Sequence, residues 1–181
     1  MAVITEGTIM PDFVFDTPFE KGRSLGKTAE RVAGKTALLF LRYYGCTLCQ
    51  YDIHQYAVNY DKIKEVEGQV LIVLQSDPMG LADQLEPDSL PFDIICDPEQ
   101  SLYKEFQIKA AESKAGMVSP ETVAKIGKAT MAGFKHGTYE GNELQLPAVF
   151  IMDRERKVSF AHYGTAAGDV PNPDKMAELL K

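Results

Sequence analysis

The chain has 181 residues and a formal net charge of −7, from 19 Lys and Arg against 26 Asp and Glu. With 45% apolar and 25% charged residues it has the composition of a folded globular protein rather than a disordered one. The length predicts a single domain over residues 1–181, large enough to bury a core without disulfide staples. The acidic balance argues against nucleic acid or an anionic membrane as a partner, because both require a basic surface.

The sequence carries no signal for export or for a membrane. Its first residues lack a positive start followed by an apolar stretch of secretory length. The longest apolar run, at 37–41, is far shorter than the roughly 20 residues of a membrane helix. Three cysteines, an odd number, do not suit an extracellular disulfide framework. We therefore expect a cytoplasmic protein, in which a close cysteine pair serves redox or metal chemistry.

The first half of the chain alternates apolar runs with a segment of helical periodicity. Short extended pieces are predicted at 13–15 and 23–25. The runs at 36–41 and 70–74 are apolar at nearly every position, which is typical of buried central strands in a parallel sheet. Between them, over 49–68, apolar residues fall at helical spacing up to a terminal glycine, which predicts one helix.

Predicted capping residues mark the starts of the helices in the middle of the chain. Asp77 caps a short predicted helix, and a third strand is predicted at 92–96. Asp97 caps the next predicted helix, with Gln100 in the capping-box position. A further helix begins at Ser119, and its predicted apolar side consists of Val123, Ile126 and Met131.

The last third of the chain predicts a loop, a hairpin and a terminal helix. Residues 133–142 are glycine-rich and form a predicted loop, 148–152 pairs with 158–161, and the last helix spans 173–180. Strand–helix units followed by a hairpin and a helix predict a mixed sheet covered on both faces. This α/β, three-layer layout is that of a thioredoxin-like domain, although the pattern alone does not separate it from other three-layer folds.

A cysteine pair lies where the first central strand leads into a helix. Cys46 and Cys49 follow the strand directly, and Thr47 and Leu48 separate them. Unpaired backbone N–H groups and the helix dipole stabilise a thiolate at a helix start. Such a site can lower a cysteine pKa from about 8.5 to roughly 3.5–7.5. Since two intervening residues allow the sulfurs to close a small ring, the pattern favours a reversible dithiol–disulfide couple.

Zinc binding and inert burial are the two alternative roles for the cysteine pair. A structural zinc site needs four ligands, and no second pair at matching spacing exists among the remaining candidates, Cys96, His54, His136 and His162. Buried cysteines without chemistry are the second alternative. We favour redox chemistry and expect neither a metal nor a cofactor.

Several short motifs resemble a known family. They are Gly7 with Pro11-Asp12-Phe13, Gly34-Lys35, Phe40, the Tyr-Gly-Cys-x-x-Cys segment, Asp97-Pro98, Leu102-Tyr103 and Leu146-Pro147. Together they resemble the redoxin group of the thioredoxin superfamily, which comprises the alkyl hydroperoxide reductase and thiol-specific antioxidant proteins. More specifically, the sequence is similar to the peroxiredoxin-like branch that carries Cys-x-x-Cys. The resemblance implies an antioxidant thiol peroxidase, an external reductant such as a thioredoxin-like protein, and compatibility with a homodimer.

The sequence departs from the ordinary peroxiredoxin motif, Pro-x-x-x-Thr-x-x-Cys. Aligning the motif cysteine on Cys49 places Arg42 at the proline and Cys46 at the threonine. The later strand carries no arginine, because Pro147 and Ala148 stand in that neighbourhood. Arg42 could compensate by favouring a thiolate, or it could form an ion pair facing solvent.

The two family alignments assign the attacking thiol differently. By analogy with thioredoxins, Cys46 attacks and Cys49 resolves. By analogy with peroxiredoxins, Cys49 is oxidised by peroxide and Cys46 resolves. Both routes end in the same disulfide, which an external reductant must reopen, and the sequence does not choose between them.

Three residues are candidates for substrate binding. Pro147 matches the position where thioredoxin-like proteins resemble one another in carrying a cis-proline, so we expect a cis bond there. Tyr44 and Thr47 flank Cys46 and are expected to line a pocket, although Tyr44 also suits packing at a strand end. Asp52 stands where peroxiredoxins often have a glutamate, and Cys96 is most simply a core residue.

These features together predict a peroxiredoxin-like thiol oxidoreductase that reduces hydroperoxides. The first alternative is a protein-disulfide reductase without peroxidase activity. The second is a redox-sensing domain without catalysis, in which the disulfide only changes a surface.

Overall fold

The computed structural model of the protein describes residues 2–181. The strands are β1 Val14–Phe15, β2 Arg23–Ser24, β3 Thr36–Phe40, β4 Gln69–Leu74, β5 Ile94–Cys96, β6 Ala148–Met152 and β7 Val158–Tyr163. A small antiparallel pair, β1 and β2, precedes a five-stranded sheet of order β5-β4-β3-β6-β7. In the large sheet β3, β4 and β5 run parallel, whereas β6 is antiparallel to both β3 and β7.

Helices cover both faces of the large sheet. They are α1 Leu25–Ala29, α2 Thr47–Val58, α3 Asp61–Glu65, α4 Pro78–Ala82, α5 Ser101–Glu105, α6 Pro120–Met131 and α7 Pro173–Leu180, with a 3₁₀ turn at Ala115–Met117. Alternate residues of β3 enter different clusters: Ala37 and Leu39 pack with α2, α3 and α7, whereas Leu38 and Phe40 pack with α1 and α5. Burial on both faces explains the uniformly apolar strands. The predicted mixed sheet and three-layer α/β fold are confirmed.

The hairpin and two of the predicted helix starts are also confirmed. β6 pairs with β7 across a tight turn, as the sequence predicts. The Asp77 carboxylate accepts the N–H of Gly80 and caps α4. α7 begins at Pro173 behind an Asn172 cap.

The single helix predicted over 49–68 is wrong in two respects. The helix starts earlier, at Thr47, with Cys46 as its N-cap. It is also divided in two, because Asn59 ends α2 in a non-helical conformation and its amide donates back to the Gln55 carbonyl. The Tyr60 hydroxyl accepts the N–H of Val70, which fixes the break against the sheet.

The capping box predicted at Gln100 is wrong as well. Gln100 adopts a left-handed conformation, with φ at 58°, and makes no side-chain capping bond. Asp97 reaches past it instead, and its carboxylate accepts the N–H groups of Ser101 and Leu102. The helix therefore begins later than predicted, although Asp97 does satisfy its first donors.

The apolar side predicted for α6 points outward. Val123 is 57% exposed, Ile126 43% and Met131 91%. The inward side carries Thr122 and Lys125, which bond to Gly168 and Asp52. These polar contacts set the rotation of the helix, so its hydrophobic periodicity does not identify the buried face.

Over residues 2–181, no helix combines the length and the apolar character needed to cross a membrane.

Candidate active site

The cysteine pair lies at the carboxyl end of β3, where the chain turns into α2. Cys46 is the extended N-cap residue of α2, with φ at −66° and ψ at 125°. Its carbonyl accepts the N–H of Gln50, and its Sγ accepts the N–H of Cys49 at 3.3 Å. A capping position normally holds a serine, threonine or aspartate oxygen, so here the sulfur replaces that acceptor. The thiol therefore lies directly in the field of the helix start.

Arg42 connects the thiol to a distant part of the chain. Its Nη2 donates to the Cys46 sulfur at 2.9 Å, and its Nη1 donates to the carbonyl of Glu143 at 2.8 Å. The backbone N–H of Arg42 also donates to the Cys49 sulfur at 3.4 Å. Of the two placements that the sequence left open, the structure has the guanidinium against the thiol.

The two thiols have pKa values shifted in opposite directions. A hydrogen bond from the Cys49 side chain, the Arg42 charge and the Cys49 N–H together lower the pKa of Cys46 to about 6, against the effect of burial. Burial, the hydrogen bond to Cys46 and the charge of Cys46 raise the pKa of Cys49 well above its usual value. At neutral pH Cys46 is therefore the thiolate and Cys49 the neutral thiol.

Both sulfurs are closed off from solvent. Cys46 is 0% exposed and Cys49 4% exposed, and both are free thiols. Residues 134–143, which we term the strap, pack against the turn that carries the pair. Its backbone crosses the motif at Gly45, whose carbonyl accepts the N–H of Gly137 at 2.8 Å. Any side chain at Gly45 would collide with the carbonyl of Thr138, so glycine permits this close approach.

Side chains on both sides hold the strap in place. Gln50 Nε2 donates to the Lys135 carbonyl at 2.9 Å, and the Tyr43 hydroxyl lies 3.0 Å from His136 Nε2. The Glu140 carboxylate accepts from Ser76 Oγ at 2.6 Å. Gln50, Ser76 and Glu140 could not be identified from the sequence, because they carry no motif and their partners lie 64 or 85 positions away along the chain.

The cis bond expected at Pro147 is wrong. Residues 2–181 contain no cis peptide bond. Pro147 is buried directly before β6, its carbonyl accepts the N–H of Gly164 at 2.8 Å, and the Leu146 N–H donates to the Lys109 carbonyl at 3.3 Å. These bonds on either side hold the chain in the ordinary trans form, which X-Pro favours by about 0.5–1 kcal/mol.

Thr47 and Tyr44, the other candidate residues, are both half-buried but lie in different surroundings. Thr47 is the half-buried first residue of α2. Tyr44 is half-buried in a groove between α2 and the loop before β5, which Leu90 and Phe134 also line. Its N–H donates to Ser76 Oγ at 2.9 Å. The structure thus places Thr47 at the helix start and Tyr44 in this groove.

Asp52 and Cys96 are buried beside groups other than Arg42. The Asp52 carboxylate is buried and pairs with Lys125 at 2.9 Å, and burial raises its pKa to about 6 despite that lysine. Cys96 lies at the end of β5, where burial and the nearby acids Asp77, Asp16 and Glu140 raise its pKa to about 12. A thiol with such a pKa is not a nucleophile near neutral pH. Nowhere in residues 2–181 do three His, Cys, Asp or Glu side chains form a group that could hold a metal ion.

A mixed five-stranded sheet with a cysteine pair at the start of the helix after its central strand defines the thioredoxin-like class of thiol proteins. Within that class, the AhpC/TSA family profile matches residues 7–161. The chain therefore belongs to the AhpC/TSA family, whose members are thiol peroxidases and related oxidoreductases.

Solved structures confirm the fold at low sequence identity. Peroxidoxin BcpB from Mycobacterium tuberculosis superposes with a TM-score of 0.65 at 14% identity, covering 97% of this chain and 93% of that one. A peroxiredoxin-like protein from Aquifex aeolicus gives 0.65 at 13% identity, covering 99% and 88%. A putative thiol:disulfide interchange protein DsbE from Chlorobium tepidum gives 0.57 at 17%, covering 97% and 95%. No curated protein matches the sequence at a significant level.

Proposed function

We propose that this protein is a peroxiredoxin-like thiol oxidoreductase that reduces hydroperoxides through Cys46 and Cys49. The observation that carries the proposal is the Cys46 sulfur, which accepts from Arg42 Nη2 at 2.9 Å and from the Cys49 N–H at 3.3 Å. These donors stabilise a thiolate, and only the thiolate attacks peroxides effectively. Membership of the AhpC/TSA family supports the same chemistry.

The reaction proceeds in two steps. The Cys46 thiolate attacks the terminal oxygen of the hydroperoxide, the O–O bond breaks, and the departing alkoxide or hydroxide takes a proton from solvent and leaves as the alcohol or water. Cys46 is then a sulfenic acid. Cys49 attacks the Cys46 sulfur, the S–O bond of the sulfenic acid breaks, and the departing hydroxide takes the Cys49 proton and leaves as water, which completes the disulfide. One hydroperoxide has then been reduced by the two electrons of the dithiol. An external dithiol, such as a thioredoxin-like protein, returns the electrons by thiol–disulfide exchange.

Cys46 is the attacking thiol in this scheme because the two sulfurs differ in charge. Arg42 and the helix start stabilise charge on Cys46, whereas burial keeps Cys49 protonated. A neutral thiol is a poor nucleophile but a suitable resolving group, since it ionises as it attacks the sulfenic acid. The Arg42 guanidinium, which holds the thiolate, is also placed to donate to the peroxide oxygens as charge develops there.

Three further residues are assigned to the walls of the substrate site. Thr47 and Tyr44 flank Cys46, and Pro147 directly precedes β6, beside the end of β3. Their role is to shape the space in which the O–O bond aligns with the thiolate. The proposal requires no metal or cofactor.

A protein-disulfide reductase is the second candidate. The observation that favours it is the low pKa of the first cysteine of the pair, which is the attacking thiol of Cys-x-x-Cys reductases by the thioredoxin analogy. A protein disulfide must approach the sulfur in line, however, and Cys46 has no exposed surface. The burial therefore favours a small hydroperoxide as the substrate.

The test compares the wild type with Cys46→Ser and Cys49→Ser during reaction with hydrogen peroxide. We expect the wild type to form a disulfide rapidly, and Cys49→Ser to stop at a Cys46 sulfenic acid that dimedone traps. Cys46→Ser should react no faster than free cysteine. Stopped-flow kinetics and mass spectrometry of the modified residue provide the measurement.

Other outcomes would identify the alternatives. If Cys46→Ser retained the fast step and Cys49→Ser lost it, Cys49 would be the attacking thiol. If the wild type were slow with peroxide but reduced insulin disulfides, the protein would be a disulfide reductase. Absence of both activities would favour the redox-sensing domain.

A further inference from the structure

The strap makes access to Cys46 depend on movement of the chain. Cys46 is 0% exposed, and the Gly137 N–H binds the Gly45 carbonyl directly before it. Because Cys46 has no exposed surface, an electrophile can reach its sulfur only when the surrounding chain moves, and the strap is the segment packed against the residue before it. The displacement needed for a small molecule is a local fluctuation, whereas a macromolecular disulfide requires release of the whole segment.

Glu140 makes the charged attachment in the middle of the strap. Its Oε2 accepts from Ser76 Oγ at 2.6 Å, and its Oε1 accepts from the Asp77 N–H at 3.1 Å. Asn142 contributes a backbone N–H that donates to Gln75 Oε1 at 2.7 Å. Hydrogen bonds to a carboxylate are roughly twice as strong as those between neutral groups. Glu140 is therefore a principal contributor to closure.

The Glu140 attachment continues to the cysteine motif. Ser76 is completely buried, and its Oγ accepts the N–H of Tyr44 at 2.9 Å while donating to Glu140. Tyr44 precedes Cys46 by two positions. A short chain of hydrogen bonds thus joins the strap to the segment that carries the attacking thiol.

We propose that Glu140 is a specificity-determining residue that latches the strap as a size gate over Cys46. The latched strap admits small hydroperoxides through local fluctuations and excludes protein disulfides and other bulky electrophiles. The identity of the small substrate rests on the proposed function, whereas the gate itself is a property of thiol access. Glu140 acts through Ser76 and the strap, so it is a positioning residue.

The test uses two reagents with the same reactive group and different bulk. N-ethylmaleimide and a maleimide carried on polyethylene glycol are reacted with the reduced protein, and mass spectrometry counts modification at Cys46. The measured quantity is the ratio of the bulky to the small rate constant. We expect Glu140→Ala to raise this ratio about tenfold, because two bonds to the carboxylate are lost. Glu140→Gln, which retains one acceptor oxygen, should give a smaller increase.

Two further variants serve as a control and as an independent way to displace the strap. Glu112→Gln removes an exposed carboxylate outside the strap and should leave the ratio at the wild-type value. Gly45→Ala introduces a Cβ that collides with the Thr138 carbonyl, so it displaces the strap while Glu140 remains intact. We expect this variant to raise the ratio as Glu140→Ala does.

An unchanged ratio in both Glu140→Ala and Gly45→Ala would overturn the size gate. An equal acceleration of both reagents would also overturn it, since access would then not depend on bulk. These results are separable from failure of the proposed function. If wild-type Cys46 reacted with hydrogen peroxide no faster than free cysteine, the proposed peroxidase function would be wrong. The ratio of the two maleimide rate constants would still test the size gate.

Discussion

Two neighbouring regions of α2 place an ionisable group beside a basic side chain, with opposite results. Cys46 lies 2.9 Å from Arg42, and Asp52 lies 2.9 Å from Lys125. The pKa of Cys46 falls to about 6, whereas the pKa of Asp52 rises to about 6. The first group thus becomes easier to ionise and the second harder, although their basic partners are at the same distance.

The difference lies in the other donors. Cys46 also accepts hydrogen bonds from the Cys49 side chain and backbone at the start of the helix. Asp52, six residues later in the chain, has only Lys125 among the groups that lower its pKa. One cation does not offset the cost of burying a carboxylate, whereas a cation combined with helix-start donors more than offsets the cost of burying a thiolate. The first region is therefore suited to reactivity and the second to joining α2 to α6.

Lys125→Met should produce the largest effect, because it leaves the Asp52 carboxylate buried without a partner. We expect a loss of about 2–3 kcal/mol in the free energy of unfolding at pH 8, because a carboxyl that stays protonated forgoes about 1.4 kcal/mol for each pH unit above its wild-type pKa of about 6. Because folding raises the pKa of Asp52, ionisation of this carboxyl destabilises the folded state. In the wild type this destabilisation is absent below about pH 4 and complete above about pH 6. Urea unfolding at pH 5 should show a much smaller difference between variant and wild type.

Lys128→Met is the matched control, since it removes an exposed lysine from the same helix. It should change the free energy of unfolding by less than about 0.5 kcal/mol. A Lys125→Met loss that was equal at pH 5 and pH 8 would mean that lost packing, rather than the uncompensated charge of Asp52, destabilises the protein.

Arg42→Met should have the next largest effect, which concerns the reactivity of Cys46 rather than the stability of the fold. Removing the guanidinium should move the pKa of Cys46 up toward its ordinary value and slow alkylation of Cys46 by iodoacetamide at pH 7 about tenfold. The pH profile of alkylation should have a midpoint of about 6 in the wild type and a higher midpoint in the variant.

Arg42→Lys distinguishes charge from geometry at the same position. It retains the cation but not the fork that reaches both Cys46 and the Glu143 carbonyl, so we expect an intermediate midpoint. If the midpoint of Arg42→Met stayed at about 6, the Cys49 donors alone would account for the thiolate.

Much of the fold could be predicted from the sequence because its strands are buried on both faces. The continuous apolar runs that form β3 and β4 suit few structures besides buried strands, and the Asp77 cap marks α4 directly. The break at Asn59 could not be predicted, since the apolar periodicity continues through it. The outward face of α6 was missed because polar contacts from Thr122 and Lys125, rather than apolar burial, hold that helix.

The site was predictable only where its parts are close in sequence. Cys46, Cys49 and Arg42 lie within eight consecutive residues, and their spacing after a strand predicts a thiol site. Glu140 and the Glu143 carbonyl reach the site from the strap, and a loop without a motif gives no indication of which residues it will contact. The order of the thiol pKa values was equally inaccessible, because it depends on which sulfur receives the donors.

Ser119→Ala should have the smallest effect and tests whether the two regions of α2 are independent. The Ser119 hydroxyl accepts the N–H of Thr122 and caps α6, the helix that carries Lys125. Loss of the cap should cost about 1 kcal/mol in urea unfolding, and Ser119→Asp, another good capping residue, should recover most of it. The alkylation rate of Cys46 should not change. A slower rate would contradict the comparison, because it would mean that α6 supports the thiolate as well as Asp52.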